Sequence, residues 1–407
     1  MPDYADSGWV VEMVEYARSR VPFYREHLAG VDPRRFDALP TFDKRMTSGH
    51  GRFPISVDGA AGAHRVLATS GTSGDRLCVA FDRKDWARVA ARMEVIAQHA
   101  GLGASDVLLN THCYGLWVGG PALDLLANVA GAGLVPVGPA PPAVVLSFLA
   151  DGVGTAISAT PSYLRRLLET AEATGQDLRN SSLRLGFIGA ESAEQSLRTK
   201  LQAKLPDGFR WVELYGLTET AGPPVAFGPD PAAPELRVHT RDFVAEVLDR
   251  EHDVPVERGA VGELTLTTRA VDLRTPLIRY RTRDLARVTE GDPSAPTRIS
   301  RILGRADDAL KVGGVLVYPS AVAEIVSELL PASAEWRAML RRREPDDEMF
   351  IEAEADHALC IAVANAFRDR VGLTVSVDSV AAGSLHRSRE KTQRILVESS
   401  ALASVPA

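Results

Sequence analysis

The feature that most constrains the fold is a regular alternation of strand-like and helix-like segments between residues 106 and 205. Short apolar runs with strand character lie at 106–112, 133–138, 154–160 and 183–190. Segments with helical periodicity lie between and after them, at 121–131, 144–152, 161–175 and 192–205. This alternation predicts a layered α/β domain with a largely parallel sheet. In such sheets, ligands bind in the loops beyond the carboxyl ends of the strands.

The segments that precede this alternation predict further elements. Residues 8–29 have the pattern of an amphipathic helix, which Pro22 interrupts. Apolar runs at 64–71 and 76–82 flank a polar loop, which indicates two strands joined by that loop. A further helix is expected at 84–100.

The pattern changes from about residue 236 onward. Strand-like segments with turn residues between them predict a small antiparallel β subdomain, and they lie at 243–249, 262–269 and 285–289. Residues 291–300, with sequence GDPSAPTRIS, read as a cluster of turns. The last 100 or so residues predict a small α+β domain, with helices at 319–330 and 357–370 and strands at 348–354 and 373–380.

Length and charge exclude several classes of protein. A chain of 407 residues is too long for a single compact core, so more than one domain is expected. A net charge of −7 provides no general attraction to nucleic acid or to an anionic membrane surface. Three cysteines far apart in sequence form neither a metal-binding pair nor a disulfide framework, which suits the cytoplasm.

A loop rich in glycine and hydroxyl residues follows the first predicted strand, in the sequence LATSGTSGDRL at 67–77. Consecutive backbone N–H groups and hydroxyls in such a loop form a concave site for a phosphate. The six residues of this loop are Thr69, Ser70, Gly71, Thr72, Ser73 and Gly74. The loop lacks the spacing and the lysine of the common P-loop, and a simple polar turn is the alternative interpretation.

Three further segments join this loop to make a recognisable set. They are WVELYGLTETAGPP at 211–224, RYRTRDLARV at 279–288 and GRADDALKVGGVLVYPSAV at 304–322. In this order and spacing the four segments resemble the adenylate-forming superfamily of acyl-CoA synthetases, adenylation domains and luciferases. The sequence is similar in particular to the phenylacetate–CoA ligase branch, through VPFYREHL at 21–28, CYGLWVGG at 113–120, SATPSYL at 158–164 and LHRSREKTQRIL at 385–396.

This resemblance implies both a domain organisation and an activity. The expected organisation is a large N-terminal adenylation domain over residues 1–305 and a small mobile C-terminal domain over 306–407, with a hinge near Asp307. The implied activity is the ATP-dependent conversion of an aryl or short acyl carboxylic acid to an acyl-AMP, with release of pyrophosphate. Transfer of the acyl group to coenzyme A would follow. The implied cofactors are ATP, Mg²⁺ and, with less support, coenzyme A.

The resemblance also assigns roles at the nucleotide site. The hydroxyl loop would wrap the β- and γ-phosphates, Tyr215 would stack on adenine and Thr218 would bind the α-phosphate. Glu219 would ligate Mg²⁺, and Asp284 would accept hydrogen bonds from both ribose hydroxyls. The remaining nucleotide contacts would come from Glu213, Gly216 and Arg305.

A lysine and an aromatic segment complete the implied site. Lys391 would stabilise the charge that develops on the α-phosphate. The acyl pocket would be lined by Tyr114, Gly115, Leu116, Trp117, Gly189, Ala190 and Glu191, with Pro161, Ser162 and Tyr163 at its border. Aromatic rings and glycines together form a flat slot that suits an aryl acid. The alternative is that these aromatic residues, and the neighbouring His112, belong to the core.

The acceptor of the acyl group is open at this stage. Gly313 stands where relatives carry an arginine that shapes the acceptor site, which weakens the expectation of coenzyme A. The second hypothesis is an adenylating enzyme of secondary metabolism whose acceptor is a carrier-protein thiol, an amine or an inorganic nitrogen species. A nucleotide-binding protein without activity is the third. A homodimer is a further expectation, and neither nucleic acid nor membrane is expected as a partner.

Overall fold

The computed structural model describes residues 8–69, 76–191, 195–220, 222–228, 235–307, 310–312, 315–341, 348–386 and 394–398. Within this part of the chain there are nine α-helices. They are α1 Gly8–Arg20, α2 Pro22–His27, α3 Arg83–Ala100, α4 Gly119–Ala130, α5 Pro142–Ala150, α6 Pro161–Ala173, α7 Gln195–Gln202, α8 Pro319–Leu329 and α9 His357–Val371.

The same residues form twenty β-strands. The first ten are β1 Arg65–Ala68, β2 Cys78–Phe81, β3 Val107–Asn110, β4 Gly133–Val135, β5 Ala156–Ala159, β6 Leu185–Gly189, β7 Arg210–Tyr215, β8 Ala226–Gly228, β9 Glu235–Val238 and β10 Phe243–Leu248. The others are β11 Val261–Thr268, β12 Tyr280–Asp292, β13 Ala295–Ser300, β14 Gly304–Arg305, β15 Leu310–Val312, β16 Val315–Val317, β17 Trp336–Arg341, β18 Glu348–Ala353, β19 Ser376–Ser379 and β20 Ile395–Glu398.

Local sequence signals explain where several helices begin and end. Asp82 accepts hydrogen bonds from the first turn of α3 in a capping box, and Gly101 ends this helix in the left-handed conformation. Thr160 caps α6, whose first residue is Pro161. Asp356 caps α9, and Gly372 ends it with a φ of 71°. These signals fix the helix boundaries independently of tertiary packing.

A twelve-stranded sheet forms the large domain. Its parallel half has the strand order β4–β3–β5–β6–β7, in which every neighbouring pair is parallel. Helices α3 and α4 pack on one face of this half, and α5, α6 and α7 pack on the other. The prediction of a layered α/β domain with a parallel sheet is therefore confirmed.

The antiparallel half continues directly from β7. Strands β8, β9, β13, β12, β11 and β10 follow in that order, and each pair is antiparallel. The antiparallel strands predicted from the sequence are thus present, and they extend the parallel half within one sheet. The prediction of turns throughout 291–300 is wrong, because β12 runs to Asp292 and β13 begins at Ala295.

Strands β1 and β2 pair with each other in a separate two-stranded sheet. The predicted strands on either side of the hydroxyl loop are therefore confirmed. Residues 70–75 of that loop, which include Ser70, Gly71, Thr72, Ser73 and Gly74, lie outside the described residues.

The C-terminal part of the chain has its own sheet and its own core. Strands β19–β18–β17–β20 form a four-stranded sheet, in which β18 and β17 are antiparallel and the two outer pairs are parallel. Helices α8 and α9 pack with this sheet around buried side chains that include Val326, Trp336, Ile351 and Phe367. The sequence predicted α8, α9, β18 and β19, but it gave no indication of β17 or β20.

Asp85, in the first turn of α3, provides a test of the energetics of this fold. Burial, and to a lesser extent the neighbouring Asp82, raise the pKa of its carboxyl from 3.8 to about 6. The ionised carboxylate is therefore disfavoured in the folded state, and its ion pair with Arg88 at 3.5 Å offsets only part of the cost.

Asp85→Asn is expected to raise the free energy of unfolding by about 1 kcal/mol at pH 8 and by much less at pH 5. The wild-type protein loses stability as the pH rises through the folded-state pKa, whereas an amide has no charge to bury. A pKa raised by about two corresponds to about 3 kcal/mol with the attraction of Arg88 already included, so an expected gain of about 1 kcal/mol is a lower figure than full relief of the burial cost would give. Urea unfolding of both proteins at the two pH values measures the difference. A difference that is independent of pH contradicts the assignment.

Among the described residues, no helix is both long enough and apolar enough to cross a lipid bilayer.

Candidate active site

The predicted site segments lie at one edge of the parallel half of the sheet. Strands β3, β5, β6 and β7 run in the same direction and end at Asn110, Ala159, Gly189 and Tyr215. The segments that contain Tyr114, Ser162, Ala190 and Glu219 follow these four ends. This edge, where loops of a parallel sheet bind ligands, therefore gathers the aromatic segment, the α6 cap and the nucleotide motif.

Tyr215 and Asp284 connect two motifs that are 69 residues apart in sequence. The Tyr215 hydroxyl donates a hydrogen bond of 2.6 Å to Oδ2 of Asp284. Asp284 is only 6% exposed, and burial together with this carboxylate raises the pKa of Tyr215 well above its ordinary value. The phenol therefore stays protonated and orients the carboxylate that is predicted to bind ribose.

Glu219 and Tyr280 make a second connection between the same two motifs. The Tyr280 hydroxyl donates to Oε1 of Glu219 at 2.8 Å. Glu219 and its neighbour Thr218 are both buried, at 7% and 8% exposure. Burial and the charge of Glu219 raise the pKa of Tyr280 well above its usual range, so this hydroxyl remains a donor. The predicted magnesium ligand is thus held by one of its oxygens.

Arg305 lies beside the predicted ribose carboxylate. Its Nη1 is 3.6 Å from Oδ1 of Asp284, and its Nε and Nη2 donate to Asp307 at 3.0 and 3.1 Å. The predicted hinge residue therefore contacts a predicted nucleotide ligand directly. Asp307 ends the described segment that begins at residue 235. Its role as a hinge stays a prediction.

Two predicted nucleotide residues have structural partners of their own. The carboxylate of Glu213 lies 2.7 Å from Arg198 and 2.8 Å from Arg301, so it joins α7 to the strand β7. A Cβ added to Gly216 would lie 2.6 Å from the Cβ of Pro223. Glycine at this position is therefore required by the close approach of the following loop, whether or not a nucleotide binds there. Their roles as ligand contacts stay predictions.

The aromatic segment is fixed by a polar cluster around the buried side chain of Asn110. The Tyr114 hydroxyl donates to Oδ1 of Asp124 at 2.7 Å, and Asn110 donates to both of these residues. A Cβ at Gly120 would lie 3.0 Å from the Tyr114 ring. Burial and the Asp124 carboxylate raise the pKa of Tyr114, which keeps this donor protonated. These contacts hold Tyr114 rigidly at its position in the predicted lining of the acyl pocket.

The rest of that segment faces the first hairpin. The Leu116 carbonyl accepts a hydrogen bond of 2.9 Å from the amide of Ala68, the last residue of β1. Leu116 is 49% exposed and Trp117 is partly exposed, whereas Gly115 has a φ of +77° that favours glycine. The predicted acyl segment and the strand that leads into the hydroxyl loop are thus adjacent.

Gly189, Ala190 and Glu191, which are also predicted to line the acyl pocket, lie next to the start of α6. Glu191 accepts hydrogen bonds from the hydroxyl and the amide of Ser162, at 2.8 and 3.2 Å. Ala190 has a φ of +68°, which is strained for a residue with a Cβ. A Cβ at Gly189 would lie 2.7 Å from the carbonyl of Leu214. The structure brings these predicted residues together, and their contact with an acid stays a prediction.

His112 is buried beside the aromatic segment. Burial lowers its pKa to about 4, so the imidazole is neutral at physiological pH. A Cβ added to Gly119 would lie 3.3 Å from Cδ2 of His112 and 3.2 Å from Nε1 of Trp117. The buried Nδ1 has no hydrogen-bond partner among the described residues. Both alternatives for His112, core residue and substrate contact, therefore stay open.

Lys44 lies beside the predicted phosphate-binding loop, and the sequence analysis did not identify it as a candidate. Its Nζ donates to the hydroxyl of Thr69 at 3.1 Å, and that hydroxyl also accepts from the Leu77 amide at 3.3 Å. Lys44 therefore places a cation at the first residue of the hydroxyl loop. Lys44 ends the segment LPTFDK at 39–44, and nothing in that local pattern indicates which distant residue the lysine contacts.

Lys391, the predicted catalytic residue, lies outside the described residues. Among the described residues there is no group of three or more His, Cys, Asp or Glu side chains that could hold a metal ion by themselves. Mg²⁺ at a nucleotide is commonly bound by one or two carboxylates together with phosphate oxygens and water. The buried carboxylate of Glu219, which has one oxygen bonded to Tyr280, fits that pattern.

The chain belongs to the family of AMP-binding enzymes. The family model described as AMP-binding enzyme matches residues 65–271, just over half of the chain. The model of the AMP-binding enzyme C-terminal domain matches residues 314–398. The first match contains Tyr215 and Glu219, which are predicted to bind the nucleotide, and the second contains β17 to β20.

Relatives with curated names are phenylacetate–coenzyme A ligases. The one from Thermus thermophilus is 30% identical over 94% of this chain and 94% of its own length. The one from Escherichia coli is 29% identical over 94% of this chain and 91% of its own length. The expected resemblance to this branch of the superfamily is therefore confirmed.

The fold matches that of 2-hydroxyisobutyryl-CoA ligase, which is 21% identical to this chain. The TM-score is 0.83 for the structure of that ligase in the postadenylation state in complex with R3-HIB-AMP, over 96% of this chain and 88% of that one. For the thioesterification state with 2-HIB-AMP and CoA it is 0.66, over 98% and 90%.

Proposed function

We propose that this protein is an AMP-forming acid–thiol ligase. It activates a carboxylic acid with ATP, releases pyrophosphate and transfers the acyl group from the acyl-AMP to coenzyme A. The observation that carries this proposal is the pair of hydrogen bonds that join Tyr215 to Asp284 and Tyr280 to Glu219 at the carboxyl edge of the sheet. The names of the curated relatives support the same activity.

The described residues suit the binding of a nucleotide. The carboxylate of Asp284, which Tyr215 orients, accepts hydrogen bonds from the two ribose hydroxyls. Arg305 lies close enough to bind the ribose or the α-phosphate. Lys44 and the hydroxyl of Thr69 bind the outer phosphates together with the rest of the hydroxyl loop. Glu219 would hold Mg²⁺, and the bound cation would neutralise charge on the pyrophosphate leaving group.

The acid binds between the aromatic segment and the start of α6. Tyr114 forms a fixed wall through its hydrogen bond to Asp124, and Gly115 and the partly exposed Trp117 lie next to it in the chain. Ser162 and Glu191 form the opposite border. Flat aromatic walls and glycines favour an aryl acid over a branched aliphatic one.

The domain boundary is part of this proposal. The large domain spans residues 1–305 and the small one 306–407, with a hinge near Asp307. Support comes from the separate four-stranded sheet and core of the C-terminal part and from the family model that begins at residue 314. Because the TM-score is higher with the postadenylation state of a related fold, we assign the described arrangement to the first half-reaction.

A panel of acids tests this function. Pyrophosphate release is measured with a series of aryl and short acyl acids, with and without coenzyme A, and products are identified by mass spectrometry. The expected result is release with at least one aryl acid and a thioester only when coenzyme A is present. Release without any thioester indicates a carrier-protein or nitrogen acceptor. Absence of both release and an ATP-dependent thermal shift contradicts the nucleotide site itself.

Glu219→Gln is expected to raise the Mg²⁺ concentration for half-maximal pyrophosphate release by about tenfold. The amide keeps the shape and the contact with Tyr280 but loses the charge that attracts the cation, and tenfold corresponds to about 1.4 kcal/mol. Tyr280→Phe is the matched control, because it removes the hydrogen bond at 2.8 Å and leaves the carboxylate. An unchanged magnesium dependence in the glutamine variant excludes Glu219 as a ligand.

A further inference from the structure

Helix α6 of the large domain contacts the C-terminal domain through a buried ion pair. Nη2 of Arg165 lies 3.6 Å from Oε2 of Glu335, which immediately precedes β17. The two side chains are only 5% and 6% exposed. Because the residues belong to different domains, this pair exists only while the domains are placed as described. The start of α6 also carries Ser162, at the border of the proposed acid pocket.

Glu335 also holds the strand that follows the predicted catalytic lysine. Nε of Arg394 donates to Oε1 of Glu335 at 2.9 Å, and the Arg394 guanidinium stacks on the ring of Trp336 at 5.1 Å. Arg394 follows Lys391 by three residues in the sequence and precedes β20. A single carboxylate therefore connects a helix of the large domain with the chain segment next to Lys391.

A second contact between the domains lies one helix away. Nζ of Lys200 on α7 donates to the backbone carbonyl of Glu328 at 3.0 Å and also to the carbonyls of Ser327 and Leu330. These carbonyls belong to the C-terminal end of α8, which attracts a cation because its carbonyls lack helical partners. Lys200 thus caps a helix of the other domain.

We propose that Arg165 and Lys200 are positioning residues for the formation of the acyl-AMP. They hold the C-terminal domain, and with it the segment next to Lys391, in the arrangement of the first half-reaction. Both contacts must be released before the acyl group is transferred to the thiol. This inference rests on the proposed function, because it assigns the two residues to one of its two steps.

The charges of the cluster allow reversible release. The guanidiniums of Arg165 and Arg394 share the one buried carboxylate of Glu335. Removing the guanidinium of Arg165 from water costs free energy, and this cost offsets much of its attraction to Glu335. After separation, Arg165 is hydrated while Glu335 keeps its bond to Arg394 within its own domain. The contact therefore favours one arrangement without preventing the other.

Arg165→Glu is the variant that tests this assignment. A glutamate would face Glu335 in a buried site, and like charges there disfavour the described arrangement. When the domains separate, the new carboxylate is exposed to water and has no effect. ATP–pyrophosphate exchange with the activating acid is expected to fall at least about tenfold. Thioester formation from a supplied acyl-AMP and coenzyme A is expected to change less than about twofold.

Arg179→Glu is the matched control. It makes the same change of charge in the large domain at an exposed ion pair with Asp177, whose closest atoms are 2.6 Å apart. Both half-reactions are expected to remain as in the wild type. Lys200→Met is a second variant that keeps the side-chain length, and it should lower exchange about threefold without lowering transfer. Equal loss of both steps in Arg165→Glu, or no loss in either, overturns the proposal.

Hydrogen–deuterium exchange separates a failure of this inference from a failure of the proposed function. In Arg165→Glu the amides of residues 331–336 and of α6 are expected to exchange faster than in the wild type, whether or not any acid is activated. Unchanged exchange at this interface refutes the contact as a positioning device. If hydrogen–deuterium exchange is faster in Arg165→Glu but the wild-type protein activates no acid, the ligase activity is refuted instead.

Discussion

Replacing Asp284 with alanine is expected to lower kcat/KM for ATP in ATP–pyrophosphate exchange by at least about 100-fold. The carboxylate is buried, is oriented by the Tyr215 hydroxyl at 2.6 Å and lies 3.6 Å from Arg305. Hydrogen bonds to a charged group contribute about 1.5–3 kcal/mol each. Losing two of them to the ribose accounts for a factor of this size, since about 1.4 kcal/mol is tenfold.

A change of nucleotide provides the control for this result. The wild-type enzyme is expected to use 2′-deoxy-ATP less well than ATP. The deoxynucleotide lacks one of the two hydroxyls that donate hydrogen bonds to Asp284. Asp284→Ala is expected to use the two nucleotides nearly equally, since it has lost the group that distinguishes them. Tyr215→Phe, which keeps the ring and the carboxylate, should lose less than about tenfold. If Asp284→Ala still discriminates like the wild type, Asp284 does not bind the ribose.

The parallel half of the fold was predictable because its signals are local. Apolar runs at 106–112 and 183–190 contain β3 and β6, and the helices between them carry their own caps, such as Thr160 before α6. Periodicity and capping act within a few residues, so neither depends on knowing the partner strand. The direction of the strands followed from the helices that connect them.

Strand β13 was not predictable for a physical reason. Its segment contains Pro296, which cannot donate a ladder hydrogen bond, and lies among residues typical of turns. In the structure Pro296 is opposite Gly291, next to a shift in the register between β12 and β13. The irregular pairing accepts the proline, and only the presence of β12 and β9 on either side makes this segment a strand.

The candidate site was predictable in its residue types but not in its connections. The motifs at 211–224 and 279–288 indicated Tyr215, Glu219 and Asp284 separately. The hydrogen bonds that join them are long-range, and so is the contact of Lys44 with Thr69. Side-chain contacts between distant segments depend on the whole sheet, which local patterns do not encode.

The buried arginines of the same region show this limit most clearly. Arg279 is 1% exposed, and its guanidinium makes two hydrogen bonds of 3.0 Å with Glu246 as well as bonds to the carbonyls of Asp37 and Leu39. In the sequence it is one of three arginines in RYRTRDL, without an assigned partner. In the structure it joins the segment before Lys44 to the large sheet, and so supports the placement of that lysine.

Lys391→Ala is expected to lower ATP–pyrophosphate exchange by about 10²–10³-fold and to leave transfer from a supplied acyl-AMP within a few-fold of the wild type. A cation placed against charge that develops on the α-phosphate acts only while the acid attacks ATP. In the second step the thiol attacks the acyl carbon of the acyl-AMP and AMP leaves, so the transition state of the first step has already been passed. Both half-reactions are measured separately, by exchange of labelled pyrophosphate and by mass spectrometry of the thioester.

The control for this result is Lys84→Ala, which removes a lysine whose exposed ion pair with Asp272 measures 3.1 Å. It is expected to leave both steps unchanged, because such exposed pairs contribute little. Combining Lys391→Ala with Arg165→Glu adds a test of the proposed positioning. If Arg165 acts only by holding the segment next to Lys391, the second change should have almost no further effect on exchange once the lysine is absent. A fully multiplicative loss would mean that Arg165 acts independently of Lys391, and an equal loss in both half-reactions would mean that Lys391 is not the adenylation lysine.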